Sequence, residues 1–194
     1  MRLTRLVIAS KNRHKIAEIM DVLHDTGLEI ELVEDAQWPD VEETETTLVG
    51  NALLKAREVR AATGCAVVAD DTGLEVEALG GEPGVFSARF AGPEATYEDN
   101  VEKLLRVMEG VTDRGAVFRT VMVLIDESGD ELVVEGVMEG SITTEPRGSN
   151  GFGYDPVFLV GDRTFAEMAT KEKNQISHRA RALRALADEL SERI

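Results

Sequence analysis

The sequence has little cysteine and no long apolar segment. Cys65 is the only cysteine among 194 residues, so the chain cannot form an internal disulfide. No apolar run reaches the ~18–20 residues that a membrane-spanning helix needs. The first residues also lack the apolar stretch and small-residue cleavage site of a secretory signal. We therefore expect a cytoplasmic protein, because a fold without disulfides needs no oxidising compartment.

Positive charge is scarce as well. The chain has 21 lysines and arginines against 37 aspartates and glutamates, for a formal net charge of −16. A surface this negative repels phosphate backbones, which disfavours binding to nucleic acid over a broad face. With 43% hydrophobic residues the chain is too apolar to be a disordered acidic polymer. Its length predicts one folded domain over residues 1–194.

Apolar periodicity predicts strands that alternate with helices in the first half of the chain. Buried strands are predicted at 6–9, 30–33 and 66–69, where the last runs into two aspartates. Helical stripes lie between these strands, after Thr96, and at the C-terminal end. Thr96 and Asp99 have the spacing of a capping box at the start of the third helix. Later, the segments 117–125 and 132–138 flank a Gly-containing turn and predict a hairpin. This combination predicts an α/β fold with a mixed central sheet and flanking helices.

A basic segment lies between the first predicted strand and the first predicted helix. The N-terminus of a helix offers free backbone N–H groups and a partial positive charge, which suit a phosphate. The segment is not a Walker loop, because the glycines are missing. The alternative is an ordinary helix N-cap followed by solvated cations. The candidate phosphate contacts are Ser10, Lys11, Asn12, Arg13, His14 and Lys15.

Paired carboxylates form a second candidate site. Asp70 and Asp71 follow an apolar strand, and α/β sheets bind ligands beyond the ends of their strands. Glu42 and Glu43 lie in an earlier acidic loop. Carboxylate oxygens suit Mg²⁺, and Asp71 is also placed to orient or deprotonate a water molecule. The alternative is solvated turn residues, which is less favourable for the aspartate pair because two charges ending an apolar strand are costly without a cation.

A glycine-rich loop at 148–156 predicts a contact with a flat ligand. Glycines let the backbone approach closely, while Phe152 or Tyr154 stacks on the ligand. The alternative is that both rings simply fill the edge of the core.

A second basic segment precedes the last predicted helix. Lys173 is a candidate for neutralising phosphate, and His178 and Arg179 offer donors for carbonyl or phosphate oxygens. The alternative is a solvated helix start with His178 at the surface.

Four of these segments occur together, in the same order, in one known family. They are Ser-x-Asn-x-x-Lys at 10–15, Ala-Asp-Asp-Thr-Gly-Leu at 69–74, Gly-Phe-Gly-Tyr-Asp-Pro at 151–156 and Glu-Lys-Asn-x-x-Ser-His-Arg at 172–179. On these motifs the chain resembles the inosine triphosphate pyrophosphatase family, the non-canonical purine nucleoside triphosphate pyrophosphatases, also called dITP/XTP pyrophosphatases. The motifs Asn-Ala-Leu-Leu-Lys-Ala-Arg at 51–57 and Gly-Gly-Glu-Pro-Gly-Val-Phe-Ser-Ala-Arg at 80–89 are similar as well.

The resemblance implies a mixed-sheet α/β fold with two lobes around a central nucleotide-binding cleft, usually as a homodimer. It implies Mg²⁺-dependent hydrolysis of dITP, ITP and XTP or dXTP to the nucleoside monophosphate and pyrophosphate. This house-cleaning reaction removes deaminated purines from the nucleotide pool.

The resemblance also implies a role for each matching position. Residues 10–15 would hold the triphosphate, Asp71 would be the catalytic carboxylate and a metal contact, and Thr72 would contact the substrate. The loop of Phe152, Gly153, Tyr154 and Asp155 would hold the base, Lys173 would bind phosphate, and His178 with Arg179 would read the base. The second metal ligand would be Glu42 or Glu43, with Asp40 as an alternative. The sequence departs from the pattern at Glu45, where bacterial members often have glycine.

Three other functions remain open from the sequence. A non-catalytic nucleotide sensor would bind through the same loops without metal-dependent turnover. A house-cleaning pyrophosphatase for modified pyrimidines would turn over but prefer another base. An acidic scaffold protein would do neither, and the two basic segments count against it.

Overall fold

The computed structural model describes residues 4–26, 30–33 and 35–193. The chain divides into two compact units, each built from separate segments. Unit 1 comprises residues 1–71, 120–136 and 178–194, and unit 2 comprises residues 72–119 and 137–177. Among the described residues, no helix combines the length and apolar character needed to cross a bilayer.

The strands form a mixed sheet, as the sequence predicts. The strands are β1 (Arg5–Ile8), β2 (Glu31–Leu32), β3 (Ala66–Val76), β4 (Pro83–Gly84), β5 (Gly115–Ile125), β6 (Glu131–Ile142), β7 (Phe158–Val160) and β8 (Arg163–Thr164). Their order in the sheet is β2-β1-β3-β5-β6-β7-β8, and β4 pairs with β3 outside this path. β1 pairs in parallel with β2 and β3, whereas the β3–β4, β6–β7 and β7–β8 pairs are antiparallel.

Local signals in the sequence begin and end two of the helices. Thr47 caps the second helix by accepting a hydrogen bond from the Gly50 N–H, and Gly64 ends it in the left-handed conformation at φ 68°. Thr96 and Asp99 form the reciprocal capping box that their spacing predicts. The helices are α1 (Arg13–Thr26), α2 (Leu48–Thr63), α3 (Tyr97–Val107), α4 (Thr170–Ile176) and α5 (His178–Arg193).

Each unit has its own hydrophobic core. In unit 1, α1 packs against α5, and Ile19 and Leu183 are fully buried in a cluster with residues of β1 and β3. In unit 2, the rings of Phe118, Phe158 and Phe165 lie within contact distance of one another at the centre of the cluster. The two cores hold the strands and helices that carry the candidate site residues.

One strand is longer than the sequence predicts, and this corrects the position of the aspartates. β3 continues through Asp70 and Asp71 to Val76, so the prediction that they end a strand and precede a turn is wrong. The extension pairs with β4 through Leu74 and Glu75. Glycine is required at position 73, because a Cβ there would lie 2.7 Å from the carbonyl oxygen of Gly84.

The C-terminal basic segment also differs from its prediction. Residues 170–176 form the separate helix α4, and the chain turns at Ser177 in an extended conformation. His178 then begins α5. The β5–β6 hairpin is confirmed, with both strands longer than predicted.

Candidate active site

The first basic segment forms the N-terminal end of α1. The side-chain oxygen of Asn12 accepts hydrogen bonds from the N–H groups of His14, at 3.0 Å, and Lys15, at 3.4 Å. Ser10 Oγ accepts from the N–H of Asn12 at 3.2 Å. The N-cap that sequence analysis considers as an alternative is therefore present. From this helix start, the Lys15 side chain reaches Asp70, whereas Lys11 pairs with the exposed Asp40.

Asp70 lies at the centre of a buried charge network in unit 1. Its Oδ2 is 3.1 Å from Lys15 Nζ and 3.1 Å from Arg179 Nη2, and Arg179 Nη1 binds Glu18. Lys55 Nζ donates to the backbone oxygen of Asp70 at 2.9 Å. Burial alone would raise the pKa of Asp70, but the charges of the two lysines and the arginine outweigh it and lower the pKa. Asp70 is therefore a fixed anion that organises the cations around it.

Asp71 has a different environment from its neighbour. Only 6% of the residue is exposed, and its Oδ2 accepts a hydrogen bond from Asn51 Nδ2 at 3.1 Å. Burial raises the pKa of Asp71, and the charge of Glu43 raises it further, while Lys15 and Lys55 act in the opposite direction. A carboxylate with a raised pKa is better suited to accept a proton than one whose pKa is lowered. Of the two adjacent aspartates, Asp71 is thus the one suited to general-base chemistry.

The acidic loop before α2 places one glutamate, Glu43, where its charge acts on the Asp71 carboxylate. Glu43 is partly buried and its Oε1 lies 2.5 Å from Lys55 Nζ, whereas Glu42 and Asp40 are exposed. In the described part of the chain, no group of three or more acidic, histidine or cysteine side chains is arranged to hold a metal ion. A Mg²⁺ site commonly uses only one or two carboxylates and takes its other ligands from water and substrate phosphates. The oxygen donors of Asp71 and the loop glutamates fit such an ion.

In unit 2, Lys173 of α4 contacts the glycine-rich loop. Lys173 is only 4% exposed, and its Nζ lies 2.5 Å from Asp155 Oδ2. The same carboxylate oxygen accepts the N–H of Phe152 at 2.9 Å, and the ammonium lies 5.0 Å from the Phe152 ring centre. The ion pair with Asp155 makes Lys173 a support for the conformation of the loop. The phosphate contact predicted for Lys173 from the sequence stays a prediction.

The two aromatic rings of this loop have different surroundings. Tyr154 is buried, and its hydroxyl donates to the carbonyl oxygen of Ser87 at 2.8 Å. Phe152 is only partly buried, as is Gly153 beside it. Of the two rings proposed for stacking, Phe152 is therefore the one that keeps an accessible surface.

The start of α5 is buried rather than solvated. His178 is buried and Arg179 is 2% exposed, so the alternative that places His178 at the surface is wrong. Arg179 is held on two sides by Asp70 and Glu18, which fixes the orientation of its guanidinium group. Thr72, directly after Asp71, is partly buried.

Among the described residues, Asn51, Lys55 and Glu18 contact the predicted site residues although no role was predicted for them. Asn51 and Lys55 are four residues apart and so share one face of α2, which would have suggested a joint role. Glu18 lies three residues after Lys15 on α1, on the same side of that helix. The signal available in the sequence was the helical spacing of these polar residues, which places them on the same helix face as one another or as a predicted site residue.

Comparison with known proteins places this arrangement in a defined group. The profile of the Ham1 family matches residues 6–189. A relative from Bacillus licheniformis, named dITP/XTP pyrophosphatase, is 47% identical over 94% of this chain and 95% of its own length. A relative of the same name from Coxiella burnetii is 45% identical over 96% of each chain.

Solved structures agree with these relatives. The structure of a HAM1 protein from Coxiella burnetii superposes with a TM-score of 0.88 at 44% identity, covering 98% of this chain and 100% of that one. The Staphylococcus aureus Ham1 protein gives a TM-score of 0.86 at 39% identity, with the same coverage. Both similarities extend over nearly the whole length of the chain.

Proposed function

The chain belongs to the Ham1 family, and from this premise we propose that it hydrolyses non-canonical purine nucleoside triphosphates to the monophosphate and pyrophosphate. The proposed substrates are dITP, ITP and XTP or dXTP. One observation carries the proposal: the buried Asp71 carboxylate accepts a hydrogen bond from Asn51 and lies directly beside Asp70, which binds Lys15 at 3.1 Å. The names of the relatives, dITP/XTP pyrophosphatase, support the same reaction.

The residues of unit 1 fit the phosphate chemistry. Cleavage between the α- and β-phosphates needs a water molecule whose oxygen attacks the α-phosphorus while its proton is removed. Asp71, buried and held by Asn51, would orient that water and accept its proton. Lys15, with the polar groups of residues 10–14, would bind the triphosphate and neutralise charge on the departing pyrophosphate. Asp70 would keep Lys15 oriented toward that task.

A divalent cation, which we propose to be Mg²⁺, would be held by Asp71 together with Glu42 or Glu43. When bound, the ion adds positive charge at the phosphate oxygens and lowers the repulsion toward the attacking water. Glu43 is the loop residue whose charge already acts on Asp71. Lys55 pairs with Glu43 and so holds the loop toward the carboxylate.

Metal dependence gives a direct prediction. Excess EDTA should abolish turnover of dITP, and added Mg²⁺ should restore it. Glu43→Gln removes one negative charge next to Asp71, so the Mg²⁺ concentration for half-maximal rate should rise by about tenfold or more, as is typical for loss of a group that supports a metal site. Titrating the rate against free Mg²⁺ measures this shift.

The control for this titration is Glu58→Gln, because Glu58 lies exposed on α2 in the same unit. Its half-maximal Mg²⁺ concentration should equal that of the wild type. Full activity in EDTA would contradict the proposed metal site. An unchanged Mg²⁺ requirement in Glu43→Gln would exclude Glu43 and leave Glu42 or Asp40 as the second ligand.

We propose two sets of residues for base recognition, in the loop of residues 152–155 and at the start of α5. Phe152 would stack on the purine, with Asp155 and Lys173 holding the loop in place. Donors of His178 and Arg179 would face the 6-keto oxygen of hypoxanthine or xanthine. Adenine has an amino group at that position and would leave those donors unpaired.

The experiment that tests the proposal is a panel of nucleoside triphosphates with Mg²⁺. We expect higher kcat/KM for dITP, ITP and XTP than for ATP, GTP and modified pyrimidine triphosphates. Binding without turnover would indicate a nucleotide sensor, and preference for a modified pyrimidine would indicate a related house-cleaning enzyme. We also propose a cytoplasmic homodimer, and sedimentation at several protein concentrations measures the oligomeric state.

A further inference from the structure

Tyr97 is a partly exposed aromatic residue that the roles above leave unused. It is the first residue of α3 in unit 2 and is 39% exposed. Its ring centre lies 5.9 Å from that of Phe152, with the two ring planes tilted by 45°. This is a favourable geometry for an aromatic pair. An exposed ring therefore packs directly on the side chain proposed to stack on the base.

The position of Tyr97 is fixed by the capping box that begins α3. Thr96 Oγ1 accepts the N–H of Asp99 at 3.1 Å, and Asp99 Oδ2 accepts the N–H of Thr96 at 2.8 Å. These reciprocal bonds hold the first helical turn. The Tyr97 ring thus projects from a well-anchored backbone, as a support for a neighbouring ring requires.

Phe152, in contrast, belongs to a glycine-rich loop. Asp155 holds its backbone N–H, and Lys173 lies beside its ring. A backbone hydrogen bond fixes the position of the Phe152 backbone but still allows the ring to rotate about the side-chain torsions. Rotation of the ring is limited by what packs against it, and Tyr97 supplies such a contact.

We propose that Tyr97 is a positioning residue for nucleobase binding, which acts by holding the Phe152 ring in the orientation that stacks on a purine. This inference rests on the proposed function. Stacking on the base is present in both the ground state and the transition state, so loss of the support raises KM more than it lowers kcat. Tyr97 does not touch the reacting phosphates and contributes through Phe152.

The test is a double-mutant cycle with dITP as substrate. Tyr97→Ala raises KM by about threefold to tenfold, the range that an aromatic pair supports, with kcat changed by less than about twofold. Tyr97→Phe keeps the ring and retains the wild-type KM. In a Phe152→Ala background, Tyr97→Ala causes no further rise, because the ring it supports is gone. Val107→Ala is the matched control, since Val107 is 40% exposed at the other end of α3.

Two kinetic results would overturn the proposal in an active enzyme. The first is an unchanged KM in Tyr97→Ala. The second is a KM increase in the double variant that equals the product of the increases in Tyr97→Ala and Phe152→Ala. If the wild type hydrolyses none of the purine triphosphates, the proposed function fails. The positioning role is then decided by the NMR shifts of the Phe152 ring protons in the nucleotide-free protein. These shifts change in Tyr97→Ala but not in Val107→Ala, and unchanged shifts in Tyr97→Ala overturn the role.

Discussion

Replacing Asp71 with asparagine should lower kcat for dITP by about a hundredfold to ten-thousandfold, the range for loss of a general base. Asparagine keeps the shape of the side chain and an oxygen that can accept from Asn51, but it cannot take a proton from water. Loss of its charge also weakens the proposed metal site. Steady-state kinetics at saturating substrate and Mg²⁺ measure the change.

The fold should survive this substitution. Burial raises the pKa of Asp71, so the folded protein disfavours its charged form and a neutral isostere costs no stability through charge. The thermal unfolding midpoint should therefore be equal to or above that of the wild type. Asp188→Asn, at an exposed position on α5, is the control and should keep full activity. Near-normal turnover in a folded Asp71→Asn variant would remove Asp71 from the mechanism.

Removing the buried arginine of the charge network should have the largest effect on stability. Arg179→Ala leaves Asp70 and Glu18 buried without this cation, and breaking a buried ion pair from one side typically costs about 3–5 kcal/mol. Urea denaturation measures the loss as a lower transition midpoint. Arg184→Ala, at an exposed position on the same helix, is the control and should change the midpoint little.

The same residue tests how the base is recognised. Loss of a charge-assisted hydrogen bond to the 6-keto oxygen, worth ~1.5–3 kcal/mol, should narrow the preference for ITP over ATP by roughly ten- to hundredfold. If Arg179→Ala fails to fold, the same kinetic comparison is made with Arg179→Lys, which keeps a positive charge. If kcat/KM for ITP and ATP falls by the same factor, Arg179 binds phosphate or supports the fold, and other residues recognise the base. An unchanged denaturation midpoint in Arg179→Ala would contradict the buried network itself.

Features that depend on near neighbours in the chain were predictable from the sequence. The Thr96–Asp99 capping box is confirmed because both partners lie within one helical turn. The β5–β6 hairpin is confirmed for a similar reason, since its turn signal lies between two apolar segments. The alternation of strands and helices therefore sufficed to predict the mixed α/β sheet.

Features that depend on distant partners were not predictable. The continuation of β3 past Asp71 requires β4, and no local pattern in Asp-Asp-Thr-Gly indicates that partner. Lys173 pairs with Asp155, 18 residues earlier, and Arg179 pairs with Glu18, 161 residues earlier. The sequence shows that these charges exist, but only the tertiary structure decides which of them neutralise one another. The roles predicted for all of the candidate site residues remain predictions for experiment.

The central claim, cleavage between the α- and β-phosphates, is tested most directly by the products of dITP. The wild-type protein is incubated with dITP and Mg²⁺, free of inorganic pyrophosphatase, and the products are separated by anion exchange. We expect dIMP and pyrophosphate in equal amounts throughout the time course. Release of orthophosphate without pyrophosphate, with dIDP as the nucleotide product, would contradict the proposed reaction.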